Sequence, residues 1–177
     1  MTAAARYTGR AIVYHWTMAA LILFLLAQGY AIDLGPSATK AWWVNLHSAV
    51  GVVVTLLLLA RIVWRIGHRP PDLPDGTSAL VRASSHAAHM LLYALMAVVC
   101  LSGFVNIFAR GRGIDFGLFQ FPAIMASDRS ITRPADTTHI ILSYSMAALV
   151  LLHVAAAVWH QWFVKDRLML RMMPGAE

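Results

Sequence analysis

The residues of this chain whose type and spacing could do chemistry are its eight histidines, His15, His47, His68, His86, His89, His139, His153 and His160. Seven of them lie in or beside long apolar stretches, where an ionisable side chain is expensive and usually functional. His139 and His153 are 14 residues apart. On a helix that spacing turns them only about 40° from one another and separates them by about 21 Å along the axis. They therefore share a face but sit near opposite sides of a membrane. His15 falls near one end of the first apolar stretch and His47 near the opposite-facing end of the second. Depth alone then pairs His15 with His153 and His47 with His139. Two imidazoles facing each other across a bundle make a six-coordinate haem iron, with the porphyrin filling the space between helices. Any one of these histidines alone is equally explained as a hydrogen-bonded interior residue; the paired pattern is what favours haem.

Neighbouring residues fit the same plan. Gly29, 14 residues after His15, shares its face at the depth of the other pair. Gly51, one turn after His47, relieves crowding there. Arg61, 14 residues after His47, reaches the His15 level, where it either pairs with a haem propionate or acts as an ordinary cytoplasmic anchor. A zinc or copper site built of histidine alone needs three or four ligands at one depth, and the apolar stretches lack carboxylates. No Cys-x-x-Cys-His sequence occurs, so covalent c-type haem is excluded. Bis-histidine ligation leaves no open iron position, which points to electron transfer.

The elements that must position these residues are membrane helices. Of the 177 residues, 59% are apolar and 12% charged, against about 25% charged in soluble domains. A bilayer core about 30 Å thick takes roughly 20 helical residues, and four stretches qualify: 12–31, 43–64, 86–108 and 139–163. The expected fold is an all-α integral membrane protein, a single domain over residues 1–177 in which a four-transmembrane-helix bundle encloses two haems. The first stretch is too long for a secretory signal core and carries a histidine with a partner, so it reads as a retained helix. Nine of the 14 basic residues flank the N-terminal end, the 65–85 connection and the C-terminal tail, and five lie in the other two loops. The positive-inside rule then places both termini in the cytoplasm. Trp16, Trp64, Trp159 and Trp162 anchor the inner ends, and Trp42 and Trp43 an outer one. The basic excess, 14 Lys and Arg against 8 Asp and Glu, thus reads as membrane topology, and no nucleic-acid partner is expected. The proline-rich segment 68–85 is a connector. The long outer segment 109–138, with Phe116, Phe119 and Phe121, is suited to fold over the bundle mouth. Cys100 reads as an interior packing residue.

The sequence resembles the bacterial cytochrome b561 family, close to its superoxide oxidase branch, over nearly the whole chain. The resemblance rests on Ile12-Val13-Tyr14-His15-Trp16, on His47-Ser48-Ala49-Val50-Gly51 with Arg61 and Arg65, and on His86-Ala87-Ala88-His89 with Arg110-Gly111. It extends through His139 and His153 to the tail, Lys165-Asp166 and Leu170-Arg171-Met172-Met173-Pro174. It implies two non-covalent b haems on His15, His47, His139 and His153, in a multi-pass protein of the bacterial inner membrane. It further implies that electrons pass from periplasmic superoxide to ubiquinone. Arg110, Arg112, Arg129, Arg133 and Lys40 would steer the superoxide anion, although Asp33, Asp115, Asp128 and Asp136 leave these loops only one charge positive. His86 and His89 would bind quinone oxygens and relay protons, or else bind a propionate or pack. His160, seven residues after His153, has the same two readings, and His68 reads as solvated. The alternative function is a cytochrome b relay or anchor subunit, passing electrons between a partner dehydrogenase or hydrogenase and the quinone pool.

Overall fold

A computed structural model describes residues 6–74 and 76–175. Four long helices carry the chain: α1 Gly9–Ile32, α2 Ser37–Gly67, α3 Ala79–Ala109 and α4 Arg129–Trp159, the last continued by a π-helical turn His160–Val164. All four are long and apolar enough to cross a membrane. The helices α2, α3 and α4 have 31 residues each, or about 46 Å, and so outrun a hydrocarbon core of about 30 Å. The helices therefore begin ahead of the apolar stretches read from the sequence: α2 at residue 37 against 43, α3 at 79 against 86, and α4 at 129 against 139. Apolarity marks only the lipid-crossing part of a helix, whereas the backbone stays helical until a cap stops it. The caps are local and polar. The Ser78 hydroxyl accepts from the Val81 amide at 3.3 Å, and the Asp128 carboxylate accepts from the Ser130 amide at 2.8 Å and the Ser130 hydroxyl at 2.7 Å. Those bonds hold the Asp128 carboxyl below the usual carboxylate range.

The backbones of α1 and α2, of α2 and α3, and of α3 and α4 pack side by side. Between the two histidine levels each helix contributes one buried residue to a common cluster, Met18, Leu58, Met96 and Met146. Met146 is seven residues from both His139 and His153, about 10 Å from each along the axis. An apolar belt therefore separates the two histidine levels.

At the outer end, residues 110–128 fold back on the bundle. Ile114–Asp115 and Gln120–Phe121 form an antiparallel hairpin, with Ile114 opposite Phe121 and Asp115 opposite Gln120. Gly117 turns it at φ +80°. Asn45 on α2 clamps the hairpin, its amide donating to the Asp115 carbonyl and its oxygen accepting from the Asp115 amide, both at 2.8 Å. Asn45→Leu removes both bonds and is expected to cost roughly 1–2 kcal/mol. Limited proteolysis should then cut within residues 112–124 much faster than in the wild type; an unchanged cleavage rate would show that the apolar contacts of Ile114 hold the loop alone.

The inner end is closed by the tail. Asp166 accepts from His160 Nδ1 at 2.5 Å and from the Leu168 amide at 3.2 Å, and the flanking Lys165 and Arg167 take left-handed backbone conformations. The chain so reversed forms a 3-10 turn, Leu168–Met172. Arg171 is 4% exposed and donates to the carbonyls of Pro71 and Asp72 at 2.8 Å. Trp16 Nε1 donates to the Met172 carbonyl at 2.7 Å, and Arg6 to that of Met173 at 2.6 Å. The tail thereby joins the start of α1 to the connection between α2 and α3.

Candidate functional site

The four paired histidines stand where helical spacing and depth put them. The rings of His15 (α1) and His153 (α4) have centroids 6.3 Å apart, and those of His47 (α2) and His139 (α4) 6.1 Å. Each pair reaches across the bundle between helices that are not close backbone neighbours. A metal ion held by two imidazole nitrogens at about 2 Å each, with each centroid a little over 1 Å behind its nitrogen, separates the centroids by about 6.3 Å. The donor chemistry and the spacing of both pairs therefore fit axial ligation of haem iron.

Glycine lets two helix backbones come close to the outer imidazoles. A Cβ on Gly29 would stand 3.4 Å from His47 Cε1, and one on Gly103 only 3.2 Å from His139 Cε1. Both glycines let a helix backbone lie against an imidazole at the outer level. Gly51 differs from the expectation of relieved crowding, since a Cβ there would meet nothing within 4 Å. His139 Nδ1 lies 3.0 Å from the Ser102 hydroxyl and 3.1 Å from the Val99 carbonyl. The Nδ1 atom of His47 is buried without a hydrogen-bond partner.

At the inner level, Arg61 donates to His15 Nδ1 at 3.2 Å and lies over the Tyr93 ring at 5.4 Å. Arg65 stacks on the same ring at 5.7 Å. A cleft of about 140 Å³ opens beside them, lined also by Arg6, Tyr7, Trp64 and Arg69. His89 is drawn into this group, its ring 5.4 Å from that of His153, while His86, one turn earlier, is exposed on the outside of α3. The two residues therefore do not form a unit. His68 is exposed and stacks on Trp64 at 3.6 Å.

The outer cations also divide. Arg110 is tied to Asp136 at 2.6 Å and to Asn106 Oδ1 at 2.7 Å, and Asn106 donates to the same carboxylate at 2.6 Å. Lys40 pairs with Asp33 at 2.5 Å. Arg112, Arg129 and Arg133 are exposed and form no ion pair among the described residues.

Comparison with known proteins gives this geometry its context. The family model described as prokaryotic cytochrome b561 matches residues 6–175. The chain belongs to that family. Cytochrome b561 homolog 2 of Escherichia coli (strain K12) is 28% identical, over 95% of this chain and 91% of its own. Cytochrome b562 of Cereibacter sphaeroides is likewise 28% identical, over 98% of both chains. A Yersinia pestis protein named probable superoxide oxidase CybB is 24% identical, over 96% of both chains. Cytochrome b561 proteins are helical membrane haem proteins of electron transport, and this one is a multi-pass member with b-type haem chemistry.

In this b561-family chain one spacing recurs on every helix. His15 and Gly29, His47 and Arg61, His89 and Gly103, and His139 and His153 are each 14 residues apart. Applied to α3 from His89, the same rule would have found Gly103. Ser102 had a signal as well, a hydroxyl beside glycine deep in an apolar run. Asn45 and Asn106 had none, because their partners Asp115 and Asp136 come from loop folding and helix packing.

Proposed function

We propose that the protein carries two b haems in series, oxidises superoxide at the periplasmic face and reduces ubiquinone in the membrane. The observation that carries this reading is the pair of facing histidine couples, 6.3 and 6.1 Å between centroids, set on opposite sides of the Met18–Leu58–Met96–Met146 belt. His15 and His153 would hold the inner haem, His47 and His139 the outer one. Bound there, haem supplies a reversible one-electron couple with no vacant coordination position. The chain's own work is to align the imidazoles, exclude water between the levels and neutralise charge. Arg61, with Arg65 beside it, suits a propionate at the inner level, and His89 lies close enough to share that role. The exposure of His86 on α3 supports a role for it in meeting a membrane-dissolved quinone from the cytoplasmic side.

Superoxide as donor is supported by the printed name of the Yersinia pestis relative and by the unpaired Arg112, Arg129 and Arg133 at the outer end. Two superoxide anions and two protons with one ubiquinone give two oxygen molecules and one ubiquinol, which balances atoms and electrons. The basic residues of the inner ends support cytoplasmic termini and a place in the bacterial inner membrane.

The test is rapid mixing of the purified, oxidised holoprotein with superoxide while the visible spectrum is recorded. Haem reduction abolished by superoxide dismutase, then reversed by ubiquinone, is the expected result. Haem bands that stay oxidised would overturn superoxide as donor. His86→Ala is expected to leave haem content unchanged and to slow the quinone step; a haem-deficient variant would instead make His86 part of the haem site.

A further inference from the structure

Building on the ligand assignment above, we propose that Ser102 is a positioning residue for the outer site: its hydroxyl and the Val99 carbonyl take the Nδ1 proton of His139, so that Nε2 faces the iron. Ser102 lies in the last third of α3, is 8% exposed, and reaches across to α4. Three polar groups meet there within hydrogen-bond distance: Ser102 Oγ to the Val99 carbonyl at 2.8 Å, Ser102 Oγ to His139 Nδ1 at 3.0 Å, and His139 Nδ1 to the Val99 carbonyl at 3.1 Å.

The protons of this triangle can be placed by elimination. A carbonyl only accepts, so the contact between His139 Nδ1 and the Val99 carbonyl requires the proton on Nδ1; Ser102 then offers that N–H a lone pair and gives its own hydroxyl proton to Val99. His139 then meets two acceptors and no donor at Nδ1, which must carry the ring proton. The lone pair of the neutral imidazole is left on Nε2. The ring is also held sterically, because Gly103 brings the α3 backbone against Cε1. A serine in an apolar helix commonly bonds back to its own preceding turn, and Ser102 does so. Sharing that hydroxyl with an imidazole on another helix is what a solitary back-bonded serine would not do.

The other paired histidines lack this arrangement among the described residues. His47 Nδ1 is buried without a partner, and His15 Nδ1 faces the Arg61 guanidinium, a donor. The outer pair is therefore asymmetric, with one ring fixed in tautomer and orientation and the other free of such a bond. A ligating imidazole that gives its second N–H to an acceptor is a more basic ligand. It favours ferric over ferrous iron and lowers the potential of its own site alone.

The experiment is a potentiometric titration of the α-band in the holoprotein for wild type, Ser102→Ala and Ser102→Thr, with His139→Ala marking the outer haem. At a fixed ambient potential, Ser102→Ala should raise the reduced-to-oxidised ratio of the outer haem at least threefold, about 28 mV for a one-electron couple at 59 mV per decade. The inner haem should not move, and Ser102→Thr should restore the wild-type value. Loss of the outer haem in Ser102→Ala but not in Ser102→Thr would support the same role. An unshifted potential, an equal shift of both haems, or loss of the outer haem in both variants would overturn it. A His139→Ala protein that keeps both haems would instead overturn the underlying ligand assignment.

Discussion

Replacing His139 or His47 by alanine is expected to remove half of the bound haem and all superoxide-driven reduction, while replacing His15 or His153 should remove the other half. Under the proposed assignment each residue would supply one of the two imidazole nitrogens that hold its haem, and the alanine variant leaves a single imidazole on that side of the bundle. The levels should fail independently. His139 and His153 are about 21 Å apart along α4, and the buried methionine and leucine belt lies between them. The outer level also has its own glycines, Gly29 and Gly103, whose backbones lie against the outer rings. Haem per chain, measured by pyridine haemochrome and compared with the residual spectrum, separates the outcomes. Outer variants should retain a low-spin inner haem that quinol can still reduce, and inner variants a haem that superoxide reduces but ubiquinone does not reoxidise. Simultaneous loss of both haems from any single variant would mean that the pairs are not separate sites, and full retention would remove the substituted residue from the ligand set.

The pairing was legible before any coordinates because two quantities settle it, helix period and depth, and both survive tertiary packing. Fourteen residues return a helix nearly to the same azimuth and carry it most of the way across a bilayer. The tail, the hairpin and the ends of α3 and α4 were not legible in the same way. Lys165 and Arg167 adopt left-handed backbone, which nothing in their side chains announces, because the reversal is held by Asp166 bonding back to His160 and by Arg171 bonding the distant Pro71 and Asp72 carbonyls. The hairpin depends on Asn45, 70 residues earlier, a contact that no local pattern encodes. For the outer cations, sequence supplied the members and their near-cancelling sum but not who neutralises whom. Arg110 finds Asp136 only when α3 packs on α4, and this divides five nominally equivalent cations into two that are tied down and three that are not. His86 and His89 are a similar case. Their spacing places both near one face, yet packing turns His89 to His153 and leaves His86 outside.

That division of the outer cations sets the second large expectation. In a holoprotein carrying Arg112→Glu, Arg129→Glu and Arg133→Glu, the bimolecular rate of haem reduction by superoxide should fall about tenfold or more at low ionic strength, the lower end of what steering contributes. Superoxide is a small anion with almost no surface to bury, so long-range attraction is the main handle a protein has on its arrival. Three charges change sign, a net change of six units, close to the hairpin at the outer end, and the local field reverses from attracting to repelling. The deficit should shrink as salt is added, since at 0.1 M the screening length is only about 10 Å. Haem content and reoxidation by ubiquinone should match the wild type, because none of the three arginines touches a histidine pair or the inner cleft. Arg110→Gln is the contrasting substitution. It takes the guanidinium from Asp136 while leaving the carboxylate with Asn106 alone, so its effect belongs to the packing of α3 against α4 and should be nearly indifferent to salt. If the triple variant reacts with superoxide as fast as the wild type across the salt series, the exposed arginines do not steer, and entry is governed by the hairpin and the outer haem edge alone.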